Sequence, residues 1–394
     1  MERTYLVVPA VLLALLLSAA GCGAEGGDAE VNADRQEAAG TVRRPVWSGA
    51  NSFYPSDPEI LARDVDGYLD SVETGELEGG IVALICPHAG YVYSGAIAAR
   101  AYAHVRNVPF DTAIVVAPSH KFPFRIASVF GGDGYETPLG VVPVDRELAD
   151  AISDASGGFG YTPQAHAEEH SLEVQVPFLQ RALGDFSIVP IVMGEQTETA
   201  ARLLAARIAT AVKGAAGKRV LLVASTDLSH FHDHDVAVEL DSHVVDAVAD
   251  FDPEGLLDSL ARGECEACGG APAAAVMMAA RELGARKSTV VGYATSGDVT
   301  GDKSRVVGYM AAVLHGAPPP SPSVSRSSAR PRAMGGARRP CRVRTRFHTR
   351  DSRSANERRS SRLRGARSSP SWPDTGRRPS SSVRRLSGPS AAPS

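Results

Sequence analysis

The last 74 residues of this 394-residue sequence contain no lysine and very few large apolar side chains. Residues 321–394 hold 19 arginines against three acidic residues, and serine, proline and glycine fill most of the rest. So few apolar groups cannot bury enough surface to offset the entropy lost on ordering. We therefore expect residues 317–394 to be a disordered Arg/Ser/Pro-rich tail. Many arginines without any lysine are also typical of out-of-frame translation of a GC-rich gene. A second interpretation is therefore that the tail is a frameshift product or a dispensable extension.

A long hydrophobic run is also missing. Residues 7–20 are apolar but short for a membrane span, and they end in SAAGC. Small residues before Cys22, followed by GAEGGDAEVNAD, are typical of a bacterial lipoprotein signal. We predict a signal over 1–22, a membrane tether through lipidated Cys22, and a flexible linker over 23–40. An ordinary secretory signal or a plain membrane anchor are alternatives, and without export the protein would be cytoplasmic.

The charge of the chain is divided unevenly. The first 320 residues carry 22 Lys or Arg against 42 Asp or Glu, whereas the tail is strongly basic. Such an asymmetry indicates two physically different parts of one chain. A basic tail can bind nucleic acid or anionic lipid, but for an exported protein no nucleic acid partner is expected.

Residues 41–316 alternate between apolar strands and helical patterns. The runs GGIVALIC, DTAIVVAP, FSIVPIVMG and RVLLVAST are continuous apolar segments, and STVVGYAT and SRVVGYMAAVL are two further strands. Buried strands that alternate with helices predict a single α/β domain whose largely parallel central sheet is covered by helices on both faces. No internal repeat of fixed period is visible.

Several other elements follow from local patterns. A hairpin is predicted over 127–144 from its glycine-punctuated alternation, and Asp145 is a good N-cap for the next helix. A helix is predicted over 169–183, with Pro177 tolerated or kinking it. Further helices are predicted within 197–212, 233–262 and 271–284.

Polar side chains follow three of the buried strands directly. IVALIC leads into His88, AIVVAP into Ser119 and His120, and VLLVAS into Asp227 and then His230. The carboxyl ends of strands in an open α/β sheet form the edge where ligand crevices lie. We therefore expect these side chains to converge there.

A cysteine completes this predicted site. Cys268 precedes two glycines and a small-residue helix in CEACGGAPAAAV. Two imidazoles and one thiolate, from His88, His120 and Cys268, would make a three-ligand site with open positions, suited to Fe, Cu or Zn. Asp227 and His230 would then be second-shell or acid/base groups, with His230 moving protons and Asp227 orienting it.

Five other residues are candidates for substrate or second-shell contacts. Glu169 and His170 form a polar pair at a helix start, and Tyr91 and Tyr93 can hydrogen-bond a ligand or only pack. Ser119 joins them because it precedes His120.

Each candidate has an alternative. A single histidine after a strand is more often a loop or cap residue than a ligand. Cys265 and Cys268 could form a disulfide instead, and Cys86 could pair with either, which would remove the thiolate. The remaining histidines look structural or exposed: His104, His166, His232, His234, His243 and His315.

Eight segments in register carry a resemblance to a known family. They are FYPSDPEIL, PHAGYVYSG, APSHKFPF, YETPLG, EHSLEVQVPFL, STDLSHFH, ACGGAP and a final VVGYMA. Together they resemble the Memo family, whose bacterial members are called AmmeMemoRadiSam system protein B, over roughly residues 42–315.

The resemblance implies a fold similar to that of class III extradiol dioxygenases. It implies metal ligands at His88, His120 and Cys268, with Asp227 and His230 as the further site residues. It also implies iron or copper binding with redox chemistry, and functional association with a radical SAM protein and an AMMECR-type protein. Cys86 departs from the family, in which alanine is more familiar at that position.

The sequence therefore predicts a metal-dependent oxidoreductase with a His/His/Cys crevice, in which Fe or Cu is favoured and Zn is possible. The third ligand is a thiolate where non-haem Fe(II) oxygenases use a carboxylate, so ring cleavage is not expected unchanged. The alternative is a non-catalytic lipoprotein on the same fold that binds a metal, a small molecule or a peptide. Whether the protein is an enzyme stays open.

Overall fold

The computed structural model describes residues 42–49 and 52–316. The predicted signal over 1–22, the linker over 23–40 and the tail over 317–394 lie outside the described residues. Within the described ranges, none of the helices combines the length and apolarity that a membrane crossing requires.

The described strands are two to eleven residues long. They are β1 Arg43–Arg44, β2 Gly80–Cys86, β3 Thr112–Pro118, β4 Ala127–Val129, β5 Gly134–Thr137, β6 Gly140–Pro143, β7 Ser187–Met193, β8 Val220–Ser225, β9 His230–His232, β10 Ala285–Thr295 and β11 Val306–Gly316.

The described helices fall between these strands. They are α1 Pro58–Asp70, α2 Tyr91–Tyr102, α3 Arg146–Ile152, α4 Pro163–Ala167, α5 His170–Glu173, α6 Gln175–Leu183, α7 Glu198–Gly214, α8 His234–Ala249, α9 Pro253–Arg262, α10 Gly270–Glu282 and α11 Ser296–Thr300, with a 3-10 turn at Ala103–Val105.

The main sheet has the strand order β10-β11-β2-β8-β3-β7-β4. The four central strands pair in parallel, whereas the pairings at both edges are antiparallel. Helix α10 packs on β2, β3 and β8, and α2 packs on β2, β10 and β11. The predicted α/β fold is confirmed, and its parallel part is the centre of the sheet.

The hairpin predicted over 127–144 is only partly correct. Strand β4 is fully buried and pairs with β7 as an edge of the main sheet, so only β5 and β6 form the hairpin. Strand β1 adds to that hairpin in parallel. Strand β4 buries more apolar surface against β7 than it would in a solvated hairpin. Burial of apolar surface is favourable, so the pairing with β7 is preferred.

The helix predicted over 169–183 is divided at Val174 into α5 and α6. Proline lacks an N–H and its ring clashes with the carbonyl four residues earlier. For Pro177 that carbonyl belongs to Glu173, the last residue of α5, so the break lies where the proline requires it. Similarly, the helical span over 233–262 is divided before Pro253.

The core surrounds the central strands. Every residue of β3 is buried, as are the last four residues of β2 and the last five of β8. Parallel strands end at the same edge of a sheet, so β2, β3 and β8 deliver the residues that follow them to one place.

Candidate metal centre

Three potential ligands meet at the carboxyl edge of the sheet. His88 follows β2, His120 follows β3, and Cys268 lies just before α10. The Sγ atom of Cys268 is 3.1 Å from Nε2 of His88, and one donor atom from each of the three residues lies within 4.8 Å of the others. The structure therefore brings together the three residues that the sequence indicated.

Cys268 reaches the sheet because the next residue is glycine. A Cβ on Gly269 would collide with the carbonyl oxygen of Ser225, at the end of β8. The Gly269 N–H instead donates to Oγ1 of Thr226 at 3.0 Å, and the Cys268 N–H donates to the carbonyl of Asp227 at 3.2 Å. Only glycine permits this close approach, which places the sulfur beside His88.

His88 is buried, with only 1% of its surface exposed. Its backbone N–H donates to Oδ1 of Asp227 at 2.7 Å, and its Nδ1 lies 2.9 Å from Oγ of Ser225. Burial, together with the neighbouring His120, lowers the pKa of His88 well below its usual value. The ring is therefore neutral near pH 7, which is the form that binds metals.

His120 is held by the carboxylate of Glu169. That carboxylate accepts from the His120 N–H at 2.5 Å, from its Nδ1 at 2.9 Å and from the Ser171 N–H at 3.0 Å. Burial alone would raise the pKa of Glu169, but the hydrogen bonds and charge of His120 lower it to about 2. An ionised carboxylate only accepts, so Nδ1 of His120 carries a proton, and in the neutral form of the ring Nε2 is the nitrogen with the lone pair.

His170 forms a wall of the crevice. Its ring stacks on Phe53 at 4.3 Å between centroids and lies 4.7 Å from the ring of His120 and 5.5 Å from that of His88. Burial, followed by the influence of His88, lowers its pKa to about 3. A second group of potential metal ligands consists of His120, Glu169 and His170. Its carboxylate, from Glu169, already accepts hydrogen bonds from His120 and Ser171.

Asp227 does not have the partner that the sequence suggested. We expected it to orient His230, but its Oδ1 accepts from the backbone N–H groups of His88 and Ala89. Nδ1 of His230 bonds to the Leu228 carbonyl at 2.8 Å instead. A carbonyl can only accept, so Nδ1 is protonated and Nε2 is the basic nitrogen of His230. Burial raises the pKa of Asp227.

The other predicted contact residues have mainly structural partners. Tyr91 is buried and its hydroxyl donates to the Val174 carbonyl at 2.7 Å. Ser119 donates to the Phe122 carbonyl at 2.7 Å and so braces the loop that carries His120. Tyr93 is 41% exposed. A role for any of them in substrate contact stays a prediction.

The cysteines of the described chain are free thiols. Cys86 and Cys265 are buried and Cys268 is partly buried, and none of the three is in a disulfide. Burial and the nearby Asp227 raise the pKa of the Cys268 thiol, so without a cation the sulfur keeps its proton.

This donor set suits a transition metal. Two neutral imidazoles and one soft sulfur match Fe, Cu or Zn better than Mg or Ca, which prefer oxygen ligands. A bound cation would also offset the burial that disfavours the thiolate of Cys268. The residues present therefore fit the metal that the sequence suggested.

Sequence reasoning missed three residues that support this site. Ser225 and Gln175 are fully buried beside His88, and Glu173 is fully buried behind His170. The only signal in the sequence was a polar residue on an apolar helical pattern, as in EVQVPFL. That pattern does not show which partner such a residue finds.

Glu173 anchors the segment that precedes α1 against the site. Its carboxylate accepts from Arg44 Nη1 and the Tyr54 hydroxyl, and from the N–H groups of Trp47 and Ser48 at 3.0 and 2.9 Å. This segment presents Phe53 to His170.

Comparison with known proteins gives a consistent result. The model of the Memo-like protein family matches residues 43–313. A MEMO1 family protein of Methanosarcina acetivorans is 39% identical over 69% of this chain and 99% of its own length. Relatives with the same family name from Ignicoccus hospitalis and Pyrobaculum arsenaticum are 39% and 34% identical, over 68% and 70% of this chain and 97% and 99% of their own lengths. The chain therefore belongs to the Memo-like family.

Proposed function

We propose that this protein binds one redox-active metal ion, Fe or Cu with Zn as a further possibility, through His88, His120 and Cys268. We also propose that it uses the ion in oxidoreductase chemistry related to that of extradiol dioxygenases. The observation that carries the proposal is the convergence of three donor atoms within 4.8 Å from three distant parts of the chain.

The metal, when bound, would activate O₂ or polarise a substrate oxygen. The chain's own residues have separate tasks. Glu169 orients His120, and the Asp227 carboxylate caps the turn that presents His88. His230 accepts or returns a proton at Nε2, because its Nδ1 is engaged by the Leu228 carbonyl. Phe53 and His170 limit the space beside the metal ligands.

A second candidate function is capture of a metal, a small molecule or a peptide without turnover. The observation that favours it is the sulfur ligand. Cys268 stands where non-haem Fe(II) oxygenases place a carboxylate, and a thiolate changes both the charge and the reactivity of the site. Tight binding without consumption of O₂ would support this candidate over the first.

The test begins with protein purified anaerobically and loaded separately with Fe(II), Cu and Zn. O₂ consumption is then measured with a panel of catechols, beside the same protein treated with chelator. We expect metal-dependent consumption with at least one metal. Stoichiometric binding without any consumption would overturn the oxidoreductase proposal and leave the capture function.

The location and the partners are further parts of the proposal. The sequence pattern around Cys22 supports an exported lipoprotein, and the family resemblance supports association with a radical SAM protein and an AMMECR-type protein. Metabolic labelling with palmitate tests the first part. Membrane-bound label in the wild type that disappears in Cys22→Ser would support it, and an unlabelled cytoplasmic protein would overturn it.

A further inference from the structure

His88 lies at the end of a buried chain of hydrogen-bonding side chains. Tyr102 donates to Oε1 of Gln175 at 2.8 Å, Nε2 of Gln175 donates to Oγ of Ser225 at 2.8 Å, and Oγ of Ser225 lies 2.9 Å from Nδ1 of His88. Tyr102, Gln175 and Ser225 are 0% exposed. The protein groups themselves must therefore satisfy one another.

The orientation of the Gln175 amide is fixed by its other partner. Nε2 also lies 2.9 Å from the carbonyl oxygen of Pro87, and a carbonyl can only accept. The nitrogen end of the amide must therefore face Pro87 and Ser225, and the oxygen end faces Tyr102. Gln175 thus presents a donor, never an acceptor, to Ser225.

The Ser225 hydroxyl has one proton and two lone pairs. Its third neighbour is the carbonyl oxygen of Ser171 at 2.6 Å, which can only accept and so receives the proton. Gln175 occupies one lone pair. The other lone pair faces Nδ1 of His88, so Nδ1 must be the protonated nitrogen of that ring.

The alternative tautomer would interfere with the metal site. With the proton on Nε2, His88 would donate to Sγ of Cys268 at 3.1 Å, and it would have no lone pair to offer on that side. With the proton on Nδ1, the lone pair of Nε2 faces the sulfur and the proposed ion.

We propose that Gln175 and Ser225 are positioning residues that hold His88 in the tautomer whose Nε2 lone pair faces Cys268 and His120. This inference rests on the proposed metal site. It explains why Nε2 of His88, and not Nδ1, would be the ligand atom. Outer-shell partners of metal-binding histidines typically contribute 10- to 100-fold in affinity.

The test uses the full chain labelled with ¹⁵N-histidine and freed of metal by a chelator. Two-dimensional ¹⁵N–¹H spectra distinguish the two neutral tautomers, and His88→Gln assigns the signal. Co(II) titration of the same samples gives the affinity and the thiolate-to-Co(II) absorption band. The variants are Ser225→Ala, Ser225→Thr, which keeps the hydroxyl, and Ser128→Ala.

Ser128 is the matched control because it is another fully buried serine beside a histidine. Its Oγ lies 3.1 Å from Nε2 of His166, which is outside the proposed ligand set. We expect wild-type His88 to be protonated at Nδ1. In Ser225→Ala we expect a shift toward the Nε2-protonated form and about 10- to 100-fold weaker Co(II) binding. Ser225→Thr should retain most of the affinity, and Ser128→Ala should match the wild type.

Three results would overturn the inference. They are an Nε2-protonated His88 in the wild type, wild-type affinity in Ser225→Ala, and weaker binding in Ser225→Ala without any change of tautomer. The wild-type spectrum alone decides if Ser225→Ala does not fold. A wild-type protein that binds no Co(II) would instead contradict the proposed function, while the spectrum would still settle the tautomer.

Discussion

The sulfur of Cys268 lies 3.1 Å from Nε2 of His88, although 180 positions separate the two residues in the sequence. His88 arrives on a parallel strand, and Cys268 arrives on the loop before a helix that packs on the same sheet. The proximity therefore depends on the whole α/β core and not on a local motif.

The buried ion pair of Arg44 and Glu173 should be essential to stability. Their side chains are 2% and 0% exposed, and Glu173→Gln would leave a buried guanidinium without its counter-charge. We expect a loss of about 3–5 kcal/mol in the free energy of unfolding, measured by urea denaturation.

The neighbouring pair supplies the control for this change. Arg43 and Glu136 are 3.8 Å apart, with side chains 51% and 32% exposed, so Glu136→Gln should cost less than about 1 kcal/mol. Equal losses in the two variants would contradict the account.

His166 should make the folded state sensitive to acid. Burial lowers its pKa from 6.5 to about 3, so between these values the unfolded chain binds a proton that the folded chain does not. Stability should therefore fall as the pH falls from 6.5 toward 3, with a contribution of about 1.4 kcal/mol per pH unit.

His166→Gln removes this titration and can keep a hydrogen bond to Ser128, the present partner of the ring. Denaturant unfolding of the metal-free protein at several pH values should show a shallower slope in the variant over that range. Parallel slopes for His166→Gln and the wild type would refute the assignment.

His230 should be needed for turnover but not for metal binding. Its Nε2 is the basic nitrogen, so His230→Gln should lower any metal-dependent rate by about 10²–10⁴-fold. The metal content should not change. His232→Gln makes the same substitution on the same short strand, at a ring paired with Glu266, and should retain the rate. A His230→Gln enzyme as fast as the wild type would remove His230 from the mechanism.

The convergence of His88 and His120 could be predicted because parallel strands end at one edge of a sheet, and Cys268 was added to them as a third donor of suitable chemistry. The prediction required only that each apolar run be followed by a polar residue. It did not depend on the order of the strands in the sheet. The family resemblance then selected these three from the other candidates.

The surroundings of the site could not be predicted in the same way. Asp227 was assigned to His230 because the two are close in sequence, but side-chain rotation directs its carboxylate to the N–H of His88. Ser225 and Gln175 were missed because their importance depends on which side chain donates and which accepts each buried hydrogen bond in the folded structure. A linear pattern of polar and apolar residues holds no such information.

Elemental analysis of the full chain isolated from its native compartment is the decisive test of metal binding by His88, His120 and Cys268. The comparison set is wild type, His88→Ala, Cys268→Ala and Cys265→Ala, whose thiol is buried but outside the proposed ligand set. We expect about one transition-metal ion per chain in the wild type and in Cys265→Ala, and little in the other two variants. A wild-type protein without metal, or equal metal in all four proteins, would contradict this expectation.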